Sequence, residues 1–330
     1  MNAASKTDLP IAGNTTRHAA LWHFLDDYSL ILIFVVLFAA LSFSVQYFFS
    51  WQNIVGLALS VSQIGMVACT MMFCLASRDF DLSVGSTVAF AGVLCAIVIN
   101  ASGSIALGIG ASLLAGAAIG FINGAVIAKL KINALITTLA TMQIVRGLAF
   151  ITSSGQSVGV SNESFFGLGT AFVLGLPSPV LITLLSFAIF GVLLNKSVYG
   201  RNTLAIGGNP DAARLAGVAV DRTRILIFLV QGAVAALAGV ILASRVTSGQ
   251  PNAGLGFELD VISACVLGGV SLAGGRASIS GVIVGVLIMG TVQNAMSLLN
   301  IDAFYRYLVS GTILLIAVLI DQLKNRRQSR

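Results

Sequence analysis

The stretch that decides the fold runs from Ile54 to Ser77 and reads IVGLALSVSQIGMVACTMMFCLAS. It contains no charged side chain, and it lies in a longer charge-free region from Tyr28 to Ser77. A helix needs about 20 apolar residues to cross the hydrocarbon core of a bilayer. A second charge-free region, from Leu82 to Ala128, is long enough for two more crossings. The sequence therefore predicts a helical protein that crosses the membrane several times.

The composition of the whole chain points the same way. Of the 330 residues, 57% are hydrophobic and 9% are charged, whereas about 25% of the residues in a typical soluble protein are charged. The mean hydropathy is +0.98. So few charges cannot cover the surface of a soluble domain of this size, which excludes the soluble classes.

Side chains that bind metals or catalyse reactions are scarce. The four cysteines lie in apolar runs without the spacing of a metal site, and both histidines precede the first apolar run. The net charge of +6 comes without a dense basic stripe interleaved with aromatic residues, so no nucleic-acid partner is expected. We likewise expect no metal, no cofactor and no catalytic residue.

Ten apolar runs are separated by turn-forming residues, and each run is a candidate membrane-spanning helix. The runs are Leu30–Phe48, Ile54–Ser77, Leu82–Ile99, Ile105–Ala128, Ile132–Thr152, Pro179–Asn195, Ile225–Ser244, Leu259–Leu272, Ile279–Leu299 and Phe304–Ile320. The prediction is an all-α, polytopic protein of about ten transmembrane helices. The eighth run is short for a full crossing, so a broken or re-entrant helix is the alternative there.

The Lys and Arg residues indicate the orientation, because cytoplasmic connections are enriched in them. An even number of crossings places both termini on one side. With both termini in the cytoplasm, the inner segments hold 15 of the 18 Lys and Arg residues. The sequence thus predicts a cytoplasmic N-terminal tail at 1–28, a transmembrane domain at 29–321 and a basic cytoplasmic tail at 322–330.

Two of the runs carry glycines at every fourth residue. They are Gly116, Gly120 and Gly124 in one run, and Gly281 and Gly285 in the other. Small residues at this spacing let helix backbones approach closely in lipid. We expect tight packing within one subunit, and a seam between two subunits is the alternative.

The longest predicted cytoplasmic connection, 196–224, contains a short helix signal at 209–217. Asn209 is a good N-cap, Pro210 suits the first helical position, and Gly217 suits the position just past the end. A helix this short is marginal in water and needs a surface to pack against. Taken alone, the segment is also compatible with a helix that lies on the membrane surface.

The same segment resembles the coupling motif of ABC importer permeases. Asp211-Ala212-Ala213, followed after three residues by Gly217, is similar to the Glu-Ala-Ala-x-x-x-Gly signature of that family. Asp replaces the usual Glu, and the proline found downstream in many of these permeases is missing. Both departures are typical of the monosaccharide branch, which keeps a loose version of the motif.

Further stretches resemble the ribose, xylose, galactose and arabinose permeases of that branch, from about Leu30 to the end of the chain. They are Asp79-Phe80-Asp81-Leu82-Ser83-Val84-Gly85, Ile132-Asn133-Ala134-Leu135-Ile136-Thr137-Thr138-Leu139, Gly207-Gly208-Asn209, Ser248-Gly249-Gln250-Pro251, and Glu258-Leu259-Asp260 leading to Val266-Leu267-Gly268-Gly269-Val270-Ser271-Leu272.

The resemblance implies a permease subunit in a bacterial inner membrane that imports a monosaccharide, with L-arabinose favoured. It also implies the partners: a cytoplasmic ABC ATPase, a periplasmic sugar-binding protein, a second copy of the chain in a homodimer, and the lipid bilayer. The short helix would dock into a groove of the ATPase. The residues expected to couple to the ATPase are Asn209, Asp211, Ala212, Ala213, Arg214 and Gly217.

The chain does not carry a phosphate-binding loop of its own. The nearest match to Gly-x-x-x-x-Gly-Lys-Ser/Thr begins at Phe190 and has Asn195 at its second glycine position, before Lys196. We therefore expect a transport subunit, not an enzyme, that is driven by a separate ATPase.

The fifth run has the densest set of polar residues and is the candidate sugar pathway. Sugars need hydrogen-bonding side chains that face a cavity. The candidates are Asn133, Thr137, Thr138, Thr141, Gln143 and Arg146. Threonines can instead bond to their own helix backbone, and Arg146 can instead snorkel or pair with Glu163. Both alternatives stay open.

Four acids near the ends of predicted spans are candidates for gating or capping. Asp79 and Asp81 flank the cytoplasmic start of the third run, and Glu258 and Asp260 open the eighth on the outer side. Glu258 and Asp260 could also meet basic residues of a periplasmic binding protein. An ion-coupled secondary sugar transporter is the main rival function, but such carriers usually place an acid near the middle of the membrane, whereas these acids are predicted at helix ends.

Overall fold

The structure is a computed structural model that describes residues 15–302 and 304–328, with the backbone alone at 15–29, 320 and 323–328. The helices are α1 (Thr15–Ser44), α2 (Trp51–Ala76), α3 (Val84–Ser102), α4 (Ile105–Lys129), α5 (Ala134–Thr152), α6 (Gly167–Thr170), α7 (Ser178–Lys196), α8 (Val198–Gly208), α9 (Pro210–Leu215), α10 (Val220–Arg245), α11 (Phe257–Leu267), α12 (Ile279–Leu298) and α13 (Tyr305–Gln328). The chain is thus all-α, as predicted.

Each of the ten predicted runs falls on one of these helices. In the described part of the chain, seven helices are long and apolar enough to cross a membrane: α2, α3, α4, α5, α7, α10 and α12. Two shorter apolar segments, Leu30–Ser44 and Tyr305–Leu319, belong to α1 and α13. α11 has 11 residues, which span only about 16 Å. The predicted count of ten spans is therefore approximate.

Polar side chains at the ends of the apolar runs set where the helices begin. Ser50, Ser104 and Ser278 each accept a hydrogen bond from a backbone N–H in the first turn of α2, α4 and α12. Such caps satisfy donors that have no partner inside the helix. At the other end of α3, Gly103 takes a left-handed conformation, with φ +70°.

α4 packs against α10 through its glycine stripe. A Cβ atom on Gly116 would lie 2.4 Å from the carbonyl oxygen of Gly232, and one on Gly120 would lie 2.0 Å from that of Phe228. Gly124 is similarly close to Ile225. The stripe therefore lets two helices of one subunit meet backbone to backbone. This confirms the expected tight packing within one subunit for the glycines of α4.

α2 is the centre of the fold. Its C-terminal part, from Ile64 to Ala76, is buried throughout, and it packs against α7, α10, α11 and α12. At its outer end, Asn53 and Asn294 of α12 exchange two hydrogen bonds, of 2.9 and 2.8 Å, between their side-chain amides. Such hydrogen bonds between polar side chains often hold membrane helices together.

The predicted outer connection after α5 contains little regular structure. A single turn of 3-10 helix, Glu163–Phe166, precedes α6, and strands β2 (Phe172–Val173) and β3 (Leu176–Pro177) form a small hairpin. Strand β1 (Val158–Gly159) pairs antiparallel with β4 (Ser248–Gly249), which follows α10. The connection after α5 is also bonded to the end of α3: the amide of Asn100 donates to the carbonyl of Gly159, and the hydroxyl of Ser161 donates to the side-chain oxygen of Asn100.

The crossing that includes α11 is broken, in line with the alternative stated for the eighth run. Between α10 and α11, residues 246–256 form turns and the two residues of β4. Between α11 and α12, residues 268–278 form a second irregular segment with left-handed glycines at Gly269, Gly274 and Gly275. Glycine-rich sequence on both sides of the apolar run explains why the helix stops at Leu267.

Candidate functional site

The short cytoplasmic helix α9 forms as its sequence predicts. The side-chain oxygen of Asn209 accepts hydrogen bonds from the N–H groups of Asp211 and Ala212, each 3.0 Å long. Gly217 has a φ of +85°, and the N–H of Val218 donates to the carbonyl of Ala213 at 3.0 Å. This is the left-handed closure that glycine favours just past a helix end.

α9 has one face on the protein and one face free. Ala213 is buried in a small cluster with Ile206 and Val220, whereas Leu215 is 90% exposed. Asp211, Ala212, Arg214 and Gly217 are exposed as well. Ala213, predicted as a coupling residue, therefore anchors the helix to its own chain, and the free surface is formed by its neighbours.

Charged side chains link α9 to the start of α10 and, through Asp221, to the end of α4. Arg214 lies 3.5 Å from Asp211 and 3.5 Å from Asp221 of α10, and Asp221 lies 3.6 Å from Lys129 of α4. Lys129, Asp211 and Arg214 are more than half exposed and Asp221 is partly exposed, and pairs of this kind contribute roughly 0–1 kcal/mol each. They orient the helix more than they stabilise it.

Three segments meet backbone to backbone beneath α9, at a contact that we term the glycine junction: Ala76–Arg78, Gly207–Gly208 and 273–275. A Cβ atom on Gly207 would lie 1.7 Å from the carbonyl oxygen of Ala76, and the N–H of Gly275 donates to the same oxygen at 2.9 Å. No side chain fits between them.

Arg78 closes the glycine junction. Its guanidinium donates from Nη2 to the carbonyl of Gly208 at 2.9 Å and from Nε to that of Ala273 at 2.5 Å. Arg78 itself has a left-handed backbone, with φ +67°, which costs energy for a residue that is not glycine. The junction connects the end of α2, the residues before α9 and the irregular segment after α11.

Asp79 lies beside the glycine junction and is 5% exposed. Arg224 of α10 approaches its carboxylate at 3.1 Å, without the alignment of a hydrogen bond at Nε. Burial raises the pKa of Asp79 from 3.8 to about 6, although Arg224 and the hydroxyl of Ser77 oppose the rise. Asp79 and Arg224 border a cytoplasmic cavity of about 450 Å³ that also touches Asp211.

Asp81 begins a buried polar chain that joins three helices. Its carboxylate accepts hydrogen bonds from the N–H and the hydroxyl of Ser83, at 2.9 and 2.6 Å. The amide of Asn123 on α4 donates to the hydroxyl of Ser83 at 3.0 Å, and the hydroxyl of Thr141 on α5 donates to Asn123 at 2.6 Å. Asp81 thus holds the turn before α3 through Ser83, which is the N-cap residue of that helix, and does not cap the helix itself.

The other polar residues of α5 do not converge on one cavity. The side chain of Asn133 caps the helix by accepting from the N–H of Leu135. Thr137 and Thr138 donate to carbonyls one turn earlier in α5. Gln143 is exposed. Thr137 and Thr138 therefore make the bonds to their own helix that were the alternative to a sugar-binding role, and Gln143 faces away from the protein.

Arg146 is bonded to the irregular segment between α10 and α11. Its guanidinium donates to the carbonyls of Pro251 and Ala253, at 2.6 Å each, and Glu258 is the carboxylate that acts on it electrostatically. The suggested pairing with Glu163 is replaced by these contacts. Arg146 therefore fixes the irregular segment between α10 and α11 against α5.

Asp260 is not available to an outside partner. It is 3% exposed, and it accepts hydrogen bonds from Arg306 at 2.6 Å and from Ser310 at 2.8 Å, both on α13. A bond to another helix of the same chain replaces the suggested contact with a periplasmic protein.

Sequence reasoning missed Arg224 and Arg306 as partners of the buried acids. The available signal was the high cost of an unpaired charge within the membrane, which favours a base or hydrogen-bond donors close to each buried acid. Which base it would be depended on helix packing, and packing is not visible in the sequence.

The described part of the molecule thus combines several helices that are long and apolar enough to cross a membrane with a short helix, α9, that carries an exposed apolar side chain. The chain belongs to the family described as "Branched-chain amino acid transport system / permease component", whose model matches residues 53–318. It is a membrane-embedded permease component and works within a larger transport system.

Several relatives are named as sugar permeases. The chain is 60% identical over 301 residues to the L-arabinose transport system permease protein AraH of Escherichia coli (strain K12), a match that covers 91% of this chain and 92% of the relative. It is 53% identical over 321 residues to the L-arabinose ABC transporter permease protein AraH of Azospirillum brasilense, covering 97% and 94%. It is 36% identical over 304 residues to the ribose import permease protein RbsC of E. coli (strain K12), covering 91% and 94%. No solved structure matches the chain.

Proposed function

We propose that this chain is the membrane-spanning subunit of a bacterial inner-membrane ABC importer for L-arabinose, and that a separate cytoplasmic ATPase and a periplasmic sugar-binding protein complete the system. The observation that carries the choice of sugar is the 60% and 53% identity to two permeases named for L-arabinose. The family description names amino acid transport, so the family alone supports the role of the chain and not its cargo.

The free face of α9 supports docking of the ATPase. Leu215 is almost fully exposed on a helix of six residues, and an isolated helix this short is marginal in water. Its caps and its buried anchor Ala213 hold it rigid, so little conformational entropy is lost on binding. A small apolar surface, flanked by Asp211 and Arg214, suits a groove with matching charges.

The glycine junction gives docking a mechanical consequence. A push on α9 passes through Asn209 to Gly207 and Gly208, which contact Ala76 and Gly275 directly. Because packed backbones do not compress, the movement reaches the end of α2 and the segment that follows α11. ATP-driven closure of the ATPase would thereby change which side of the membrane is open.

A second copy of the chain is proposed to cover the face of α5 that is exposed in the single chain. Gln143 is the middle residue of α5, so its amide lies near the centre of the membrane, and it is exposed in the single chain. An amide that faces lipid has no hydrogen-bond partner, which is costly. Contact with the same face of a second copy would satisfy it, in the symmetric arrangement common to homodimers.

The docking proposal is tested by Leu215→Asp, with Leu174→Asp as the matched control. Both leucines are at least 90% exposed, but Leu174 lies in the β2–β3 turn, on the predicted outer side. We expect Leu215→Asp to weaken co-purification with the ATPase roughly tenfold or more, the effect of losing an apolar anchor in a binding groove. The control should bind normally. Equal ATPase binding and equal arabinose uptake by the two variants would refute the docking.

A further inference from the structure

The broken crossing places irregular backbone at the middle of the membrane. Phe257, the first residue of α11, and Gln63, at the centre of the 26-residue helix α2, line the same cavity. α11 therefore begins near the midplane, and residues 246–256 cover the outer half of the crossing without a helix. At this depth, non-helical backbone is tolerated only where protein buries it or where it lines a water-filled cavity.

The cavity at this point, which we term the midplane cavity, has a volume of about 380 Å³. That is within the range of about 300–1,000 Å³ typical of small-molecule sites. Its polar lining is Gln63, Asp260, Arg306 and Ser310, and its aromatic lining is Phe257, Phe304 and Tyr307. None of the α5 residues considered for the pathway is among its lining residues.

Gln63 has hydrogen-bonding capacity to spare. Its Nε2 atom is buried and has no hydrogen-bond partner among the described residues. A buried amide donor without a partner costs about 1–3 kcal/mol. The side chain lines the midplane cavity, so a molecule in the cavity could accept that bond.

A smaller cavity of about 140 Å³ adjoins the midplane cavity and shares Val88 and Leu242 with it. Its polar lining is Ser248 and Gln250, from the segment that directly follows α10. The two cavities together follow residues 246–256 from the outer end of α10 to the start of α11. Both cavities are lined mainly by apolar residues, and each has a few polar side chains.

We propose that the midplane cavity is a binding subsite for the transported monosaccharide, with Gln63 as a hydrogen-bond donor to a sugar hydroxyl. This inference rests on the proposed function and names the place within the subunit where the sugar is held. A monosaccharide is neutral and covered with hydroxyls, so it matches the unpartnered amide of Gln63 and the half-exposed guanidinium of Arg306. Its apolar ring face packs against aromatic side chains. Discontinuous helices at the midplane recur as binding sites in membrane transporters.

Arg146 is the residue that positions the wall of the subsite. By holding the carbonyls of Pro251 and Ala253, it fixes the segment that continues into Gly254, Leu255 and Gly256, all of which line the midplane cavity. Arg146 thus acts on the subsite through the backbone and not by contact with the sugar.

The first test compares Gln63→Leu with Gln293→Leu in vesicles that contain the complete importer with its ATPase and binding protein. Gln293 is the matched control because it is also a half-buried amide with an unpartnered Nε2 among the described residues, and it does not line the cavity. We expect Gln63→Leu to lower uptake of labelled L-arabinose roughly tenfold, the effect of losing one hydrogen bond. ATP hydrolysis stimulated by the loaded binding protein should persist. Equal uptake by the two variants would overturn the subsite.

The second test asks whether the cavity holds water and sugar or only lipid. Leu255→Cys, in the cavity wall, is compared with Leu114→Cys, an exposed position on α4. The four native cysteines are buried, so background reaction with a hydrophilic thiol reagent is low. We expect the cysteine at position 255 to react faster, and L-arabinose with its binding protein to slow that reaction. Equal labelling at the two positions, or no effect of sugar, would mean that lipid fills the cavity and would refute the proposal.

These outcomes separate failure of the subsite from failure of the proposed function. If the importer carried another cargo, the unmodified complex itself would not take up L-arabinose. If only the subsite were wrong, the unmodified complex would transport the sugar, and Gln63→Leu would transport it as well as Gln293→Leu.

Discussion

At the scale of single residues, the buried acids differ in how their charge is compensated. Asp260 is bonded to both Arg306 and Ser310 on one neighbouring helix. Asp81 has the N–H and the hydroxyl of Ser83. Asp79 has a single base, Arg224, and a long contact of 3.4 Å with the Ser77 hydroxyl. Asp79 is therefore the one of the three that depends mainly on a single ion pair.

The pKa of Asp79 predicts a pH dependence of stability. Its folded pKa of about 6 lies above the ordinary value of 3.8, so between these values the folded state binds a proton more tightly than the unfolded state. The contribution of Asp79 to stability is then largest at acid pH and is lost as the pH rises through about 6.

We expect Asp79→Asn to remove that contribution. The thermal midpoint of the purified protein in detergent should be measured for both forms from about pH 4 to about pH 7, the window set by these two pKa values. The unmodified protein should lose on the order of a few degrees relative to the variant across this window. Parallel curves for the two forms would contradict the assignment.

At the scale of elements, glycines decide how closely segments approach. In α4 they face α10, and in α12 Gly281 and Gly285 face Gly268 and Ala264 of the broken crossing. At the glycine junction they bring three segments from distant parts of the chain into direct backbone contact. A side chain at such a position has to displace backbone, which cannot move as a flexible side chain does.

Two adjacent glycines of α8 give a matched pair for this claim. A Cβ atom on Gly207 would meet Ala76 and Gly275, whereas nothing lies within 4 Å of a Cβ atom on Gly208. We expect Gly207→Ala to lower the free energy of unfolding by about 2 kcal/mol through overpacking. Gly208→Ala should be neutral or stabilising by up to about 1 kcal/mol, since alanine favours helix. Thermal unfolding in detergent measures both, and equal midpoints would show that the junction is not tightly packed.

At the scale of the whole molecule, the exposed amide of Gln143 at the centre of α5 predicts a contact between two copies. Gln143→Cys should form a disulfide-linked dimer under mild oxidation in membranes, because a two-fold axis would bring the two thiols together. Leu185→Cys, an exposed position near the middle of α7, is the control and should stay monomeric. Equal cross-linking at both positions would indicate random collision.

The sequence predicted those parts of the fold that depend on local signals. Apolar runs located the helices, and the Asn209-Pro210 start with Gly217 located α9. It did not predict which face of α9 is free, because the burial of Ala213 depends on Ile206 and Val220 from flanking segments. Nor did it predict the bonds from Asp260 to α13 or from Arg146 to the segment between α10 and α11, which join residues far apart in the chain.

The sugar site shows the same limit. Polar residues were counted along single helices, which favoured α5, whereas the midplane cavity draws its polar side chains from α2, α11 and α13. The sequence alone does not show which residues of other helices lie beside Gln63, because that depends on how the helices pack.

The amide pair of Asn53 and Asn294 sets the outer end of the molecule apart from its cytoplasmic end. Neither amide ionises, so this pair of hydrogen bonds keeps its strength at low pH and at high salt concentration. Those conditions weaken ion pairs such as those around α9. A bacterium regulates its cytosol but not the medium that bathes its envelope. On the predicted outer side, the contact between α2 and α12 is thus one that changes in pH and salt leave intact.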